Sequence, residues 1–342
     1  MNYTKELIIL ILISVITLNS CNNKKKQQEV IATEKTETKE NQALNIPDKV
    51  EVKKDNGQIQ LPGTHIFVSK PEGFTLFPEM IRLQKSDDNY IHFVESFGMS
   101  YYEKRPEVLQ AFENAQQQHG LTPYYQKEFK LGDYDAFIIY GADNVPNLDQ
   151  IVMLFGDDDF SVMIACALIR SDNKSKQQIV DALQTIYVDK SAKVDYDALS
   201  NFAIDLSKTK FKFNRHMSSV FYYTIDGKGD PLSDLYLDQI MIMPLPAVTY
   251  EKKVELVEDM LPRYAQSGVI ITSEIDRKEI EINNMRGYEA SFDANYVDKP
   301  AQIYVLVVGD NKATISFSGM SFNNRSDIFE QIKKVAKTLK SK

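Results

Sequence analysis

The chain has no tryptophan, two cysteines and four histidines among 342 residues, and each scarcity excludes something. Two cysteines cannot make the disulfide framework of a small secreted domain. His65, His92, His119 and His216 include no pair at metal-ligand spacing, so no metal site is written in the sequence. Gly-x-Ser-x-Gly, the Walker loop, Gly-x-Gly-x-x-Gly and His-Glu-x-x-His are all missing, and no cofactor is expected. Positive charge is in deficit: 40 Lys+Arg against 48 Asp+Glu give a net charge of −8 and a pI of about 5.2. That balance argues against nucleic acid, whose binding depends on clustered Lys and Arg. No apolar run reaches the roughly 20 residues that span a bilayer.

The longest apolar run is Leu7 to Leu18, behind a short polar start containing Lys5. About a dozen residues make a helix of about 18 Å, too short to cross. A charged start, a short core and small residues at its end read as a secretory signal peptide over residues 1–20. The end "LNSC", Leu18 to Cys21, resembles the bacterial lipoprotein signal, with an aliphatic residue three before the cysteine and a small one just before it. The resemblance implies that Cys21 receives a diacylglycerol and becomes the acylated N-terminus. One acyl chain holds marginally, whereas two or three make a durable anchor. The alternative is a plain signal peptide or single-span anchor with Cys21 incidental. Cys166, in the apolar run "FSVMIACALI", is left without a partner and reads as a buried small hydrophobe.

From Cys21 to residue 59 there is no aromatic residue, and Lys, Glu, Gln, Thr and Asn predominate. Such a stretch buries too little apolar surface to offset its ordering entropy, so 21–59 is expected to be a flexible tether with a reach of about 35 Å. Its charges nearly balance, which is unlike a polybasic membrane patch. The expected location is a bacterial envelope. In a cell with two membranes the expected place is the periplasmic side of the outer one, since asparagine and lysine follow Cys21 rather than aspartate.

An internal repeat organises the remainder. Gly156-Asp157 falls on Gly309-Asp310, Val162 on Ile315 and Ile164 on Phe317; Ile179, Leu183 and Ile186 fall on Ile332, Ala336 and Leu339 at the same offset. Each copy reads as strands, an amphipathic helix (Leu109, Phe112 and Ala115 on one side in the first), hairpin strands and a closing helix. Gly120 and Gly268 suit helix C′ positions. The expected class is α+β, two tandem copies over 60–190 and 197–342 with a boundary near Lys190 to Leu199.

"VSKPEGFTLF", Val68 to Phe77, resembles the early strand of PsbP-like domains, and the element order matches that family and the DcrB and LpqN types of bacterial lipoprotein. The Pro-Glu-Gly-Phe signature stands in the first copy, and "KTKFKF" takes its place in the second. The resemblance implies an antiparallel sheet flanked by helices, members that mostly bind or support other proteins, and no shared catalytic residues. A non-catalytic envelope lipoprotein with a protein partner is therefore the leading expectation. A binder of a small apolar or lipid ligand is the alternative, and an unrecognised hydrolase a third.

Asp157, Asp158 and Asp159 are the best calcium candidates, read instead as a solvated hairpin tip. His92 alternates with Ile91 and Phe93 and reads as an exposed or hydrogen-bonded structural histidine. The tyrosine pairs Tyr101-Tyr102, Tyr124-Tyr125 and Tyr222-Tyr223 should place one ring of each pair inward on a strand. The second copy carries an added loop, Asp226 to Asp238, whose Leu232, Leu235, Tyr236 and Leu237 are candidate partner contacts. In the competing view Leu235 and Leu237 fold back onto their own sheet.

Overall fold

The computed structural model describes residues 43–119, 123–143, 145–195, 199–217, 219–231 and 233–342, with 115–119 by backbone alone. The signal peptide, Cys21, the tether as far as residue 42, Gly120 and Leu232 lie outside the described residues, as do the side chains of Ala115 and His119. Two compact units account for the rest, one ending at Asp195 and one covering the described residues from Leu199 to Lys342. Among the described residues no helix is long and apolar enough to cross a membrane.

The first unit runs β1 (Lys49–Val50), β2 (Gln58–Gln60), β3 (Ile66–Ser69), β4 (Thr75–Phe77), β5 (Arg82–Ser86), β6 (Asn89–Phe97), α1 (Tyr101–His119), β7 (Pro123–Leu131), β8 (Tyr134–Ala142), β9 (Leu148–Gly156), β10 (Phe160–Ile169), α2 (Asn173–Leu183) and β11 (Tyr187–Val188). Its main sheet has the order β1-β7-β8-β9-β10-β6-β5-β4, and β11-β3-β2 form a smaller sheet. The second unit runs β12 (Phe202–Ala203), β13 (Phe211–Met217), β14 (Val220–Ile225), β15 (Gln239–Pro246), α3 (Tyr250–Gln266), β16 (Val269–Ile271), β17 (Asp276–Ile282), β18 (Met285–Tyr296), β19 (Lys299–Gly309), β20 (Ala313–Phe322), α4 (Ser326–Ala336) and β21 (Lys340–Ser341). Here the order is β13-β14-β15-β20-β19-β18-β16, with β17 also on β18. Both units are α+β, with strands antiparallel except where β1 joins β7.

The order β4-β5-β6-β10-β9-β8-β7 thus recurs as β13-β14-β15-β20-β19-β18-β17. Phe160 and Ala313 begin the fourth strand of each series, Asn173 and Ser326 the closing helix, and Tyr187 and Lys340 the last short strand, at one constant offset. The "GDDD" and "GDNK" segments are the matching hairpin turns, closed by Asp157 N to Phe160 O at 2.9 Å and Asp310 N to Ala313 O at 3.0 Å. Glycine precedes both for a steric reason: a Cβ on Gly156 or Gly309 would lie 2.0 or 2.3 Å from the carbonyl oxygen of Phe160 or Ala313. Strand β20 is buried along its whole length because helices cover both faces. Tyr264 of α3 bonds Ser318, whereas Ile332 of α4 sits over Gly319, the next residue and therefore on the opposite face.

Two expectations need correction. The tether ends earlier than residue 59: Leu44, Ile46 and Val50 are buried, and Lys130 N and Gly132 N donate to Asp48 O and Val50 O at 2.9 Å each. A few spaced apolar residues suffice when an existing strand edge supplies the backbone partners, so the first unit begins well before residue 60. Pro71–Phe74 is a turn (Phe74 N to Pro71 O, 3.1 Å), and it divides "VSKPEGFTLF", read above as one early strand, between β3 and β4, which belong to different sheets.

Candidate functional site

In the second unit α4 packs on β20 and β19 and leaves the same face of β17 and β18 beside it as a groove of about 300 Å³. Alternation along β17 sends Asp276, Lys278 and Ile280 to this face, and the register sets Glu289, Ser291 and Tyr304 beside them as the floor. Glu330, Lys333 and Lys337, on the side of α4 and at its C-terminal end, form the other wall.

The floor is tied together by its own ion pairs and keeps one surplus negative charge, since Asp276 and Glu289 share the single Lys278. Tyr304 Oη donates to Glu289, and Lys278 Nζ lies 3.1 Å from Glu289 and 3.6 Å from Asp276. The Glu289 carboxylate holds the Lys278 ammonium above its usual range. Burial, reinforced by Glu289, pushes the Tyr304 phenol well up. Lys333 pairs with Glu330 at 3.2 Å and lies over the Phe329 ring. The lysine stays charged and the phenol stays protonated, so what these two offer is hydrogen bonding and charge recognition.

The first unit has the same place, filled. Following the strand pairings, Glu289 corresponds to Ile138, Tyr304 to Ile151 and Lys278 to Lys127; the helix offset matches Lys337 to Gln184. Lys127 Nζ donates to Ile46 O at 2.6 Å and pairs with Asp48 at 2.8 Å. Gln184 Nε2 donates to Asn45 O at 3.2 Å. The positions that line the open groove in the second unit therefore grip the chain's own residues 45–48 in the first.

The loop from Asp226 to Asp238 interrupts the β14–β15 hairpin. Leu235, Tyr236 and Leu237 are half-buried. Tyr236 Oη donates to Asp298, its ring meets Phe322 edge-on at 5.7 Å, and Lys299 Nζ stands 3.9 Å above it. Leu237 packs over Gly229, and Asp238 accepts from Phe322 N at 2.8 Å and pairs with Arg325. These contacts all run to the loop's own unit.

Asp157 pairs with Lys190 at 2.7 Å, and its carboxylate accepts from Asp159 N at 3.1 Å within the hairpin tip. Among the described residues no three His, Cys, Asp or Glu side chains converge as metal ligands. His65 meets the buried Glu95 at 3.1 Å. Cys166 is buried, which pushes its thiol well up. Tyr222 and Tyr223 are both buried, against the expectation of one inward ring, because both faces of β14 are covered. Tyr101 and Tyr102 open α1 instead of lying on a strand, and Tyr102 is exposed.

His92 is not exposed, and among the described residues it is not hydrogen-bonded. It is fully buried beside Arg82, its partner across β5 and β6, and none of the five nitrogens of the two side chains meets a hydrogen-bond partner among the described residues. The Arg82 guanidinium stacks on the Tyr90 ring at 4.0 Å. At the same register positions the second unit has Tyr222 and Met241, so the buried charge belongs to the first copy alone.

Nothing in the residue pattern singles out Arg82 or the groove outright. For the groove a partial signal existed: "DRKEIEI" opens with four consecutive charged residues where the first copy has "YQKEFKL", and the strand pairings, two residues off the repeat offset, bring Lys278 onto Lys127. For Arg82 there was none, since "MIRLQKS" reads as an ordinary amphipathic strand.

No family model and no curated protein matches the chain. Among solved structures, a protein from Bacteroides thetaiotaomicron VPI-5482 is 8% identical over 42% of this chain and 45% of that chain, less than half its length, with a TM-score of 0.29. The immunity protein TplEi of the Pseudomonas aeruginosa T6SS, complexed with "L" peptide, is 9% identical over 84% of this chain and 98% of that one, with a TM-score of 0.27. The Tle4–Tli4 complex matches at 9% identity over 84% and 99%, with a TM-score of 0.26. Likenesses this slight carry no argument about this chain.

Proposed function

We propose that the chain is a lipid-anchored envelope lipoprotein of two PsbP-like domains, non-catalytic, that binds or supports a protein partner. The anchor rests on "LNSC" and Cys21, and the PsbP-like assignment on the Pro-Glu-Gly-Phe segment with the repeated element order. One observation carries the binding role: the second unit keeps open a groove that the first unit fills with its own main chain. The polar lining favours a polypeptide over the alternative apolar or lipid ligand, which would need an apolar pocket. In a cell with two membranes the proposed site of action is the periplasmic face of the outer one.

Two measurements on the anchored protein test this. Cys21→Ala should abolish labelling by a palmitate analogue and release the protein from membranes; persistent labelling refutes the anchor. A photo-crosslinker at Ile280, half-buried in the groove, should give a discrete adduct in intact cells, while one at Lys174, exposed on α2, should not. Identical patterns from the two positions refute a partner at the groove.

A further inference from the structure

We propose that the groove of the second unit receives an extended peptide segment of the partner, which adds as a parallel strand along the outer edge of β17. This rests on the protein-partner reading above and specifies its geometry. The template is internal. In the first unit residues 44–50 lie in the corresponding groove, and β1 pairs in parallel with the outer edge of β7, Lys49 opposite Lys130 and Val50 opposite Leu131. Lys130 N and Gly132 N supply the backbone donors. By register their counterparts are Glu281, opposite Arg286 as Lys130 is opposite Asp135, and Asn283, which begins the turn as Gly132 does. Among the described residues β17 pairs with β18 alone, so its outer edge has the same donors and no strand on them.

The lining says what kind of segment fits. Where the first groove has Ile138 and Ile151, buried like Leu44 and Ile46 of the segment that Lys127 and Gln184 hold, the second has Glu289 and Tyr304, with Lys278, Lys333 and Lys337 around them. Asp276 and Glu289 share the single Lys278 and keep one surplus negative charge at the Asp276 end, Glu330 holds Lys333, and Lys337 at the end of α4 is the lining cation with no ion pair among the described residues. The favoured segment is therefore polar where residues 44 and 46 are apolar, and carries a carboxylate toward Lys337.

The probe is a synthetic peptide of residues 43–51 carrying Leu44→Glu and Ile46→Gln, added to the full chain. Amide exchange at Glu281 and Asn283 should slow at least tenfold at saturation, and the peptide with Leu44 and Ile46 retained should bind more weakly. Glu281→Pro removes one outward donor and keeps the ladder to β18, so it should cut affinity at least tenfold with an unchanged melting temperature. Lys337→Glu, on the exposed helix end, should do the same if Glu281→Pro perturbs folding. No binding at about 1 mM, or binding without protection of those two amides, overturns the proposal. In cells the two readings separate. A crosslink from Ile280 that is lost in Glu281→Pro supports strand addition, one that persists overturns it while sparing the partner, and no crosslink in the parent chain removes the partner itself.

Discussion

Arg82→Met should stabilise the first unit. Arg82 is fully buried, among the described residues none of its three side-chain nitrogens has a hydrogen-bond partner, and its guanidinium stacks on the Tyr90 ring at 4.0 Å, with Asp87 acting on it by Coulombic attraction alone. Replacing a whole buried ion pair by apolar side chains ranges from neutral to about 4 kcal/mol stabilising, because desolvation offsets the Coulombic gain. Here no opposite charge is lost. Against the relief of desolvation stands the stacking on Tyr90, about 2 kcal/mol for a desolvated pair. Methionine fills a similar volume and adapts to irregular space. The expected net gain is about 1–3 kcal/mol, at roughly 2–4 °C per kcal/mol for a unit of this size. Calorimetry on the purified chain reads the shift directly. The second copy, with Tyr222 fully enclosed at the same register position, shows that this corner of the fold accepts a neutral side chain. Arg82→Tyr is the matching second variant. If both variants lower the melting temperature, the guanidinium has a partner in solution and the reasoning fails.

Three further outcomes can be checked. Buried Lys253 on α3 donates to Gly309 O at 2.6 Å and Arg286 O at 3.0 Å, so Lys253→Met should strip two carbonyls and cost about 1–3 kcal/mol in urea unfolding; a neutral result refutes the anchoring role. Gly156→Ala and Gly309→Ala should each destabilise their own unit by more than about 2 kcal/mol, since the new Cβ meets a carbonyl oxygen; tolerance at either site would show that the turn relaxes. Burial, aided by the Arg82 charge, pushes the His92 pKa down from 6.5 to about 3. Below about pH 6.5 the unfolded chain binds a proton that the fold refuses, so stability falls as pH drops toward 3 by up to about 1.4 kcal/mol per unit. His92→Leu should remove that one-proton slope, and an unchanged slope refutes the assignment.

Much of the fold was legible because duplication writes it twice. The Gly-Asp turns, the strand after each and the closing helix share one offset, and chance seldom repeats an apolar pattern over the 31 residues from Gly156 to Ile186. Segment 44–50 was not legible, because its order comes from a strand edge some 80 residues away and composition reports only local apolar content. Arg82 and His92 were missed for a related reason: which face of β5 and β6 is closed depends on packing, and alternation alone assigns charged residues to solvent. In the added loop the sequence supplied two readings of Leu235, Tyr236 and Leu237, and contacts such as Tyr236 to Asp298 depend on the distant β18–β19 turn.

The two grooves differ in the property that decides whether a groove can stay open. Ile138 and Ile151 in the first are apolar, and each such side chain left exposed would forgo about 1.5–3 kcal/mol of burial. That floor needs a permanent cover, and the adjoining residues 45–48, held by Lys127 and Gln184, stay beside it in cis with no loss of translational freedom. The second floor carries Glu289, Tyr304 and Lys278, which satisfy one another whether or not anything lies above them. It tolerates water, so a cover there can come and go. Duplication followed by exchange of two isoleucines for a tyrosine–glutamate pair would thus turn a fixed structural contact into a reversible one, while leaving the strand edge that makes the backbone contacts in place.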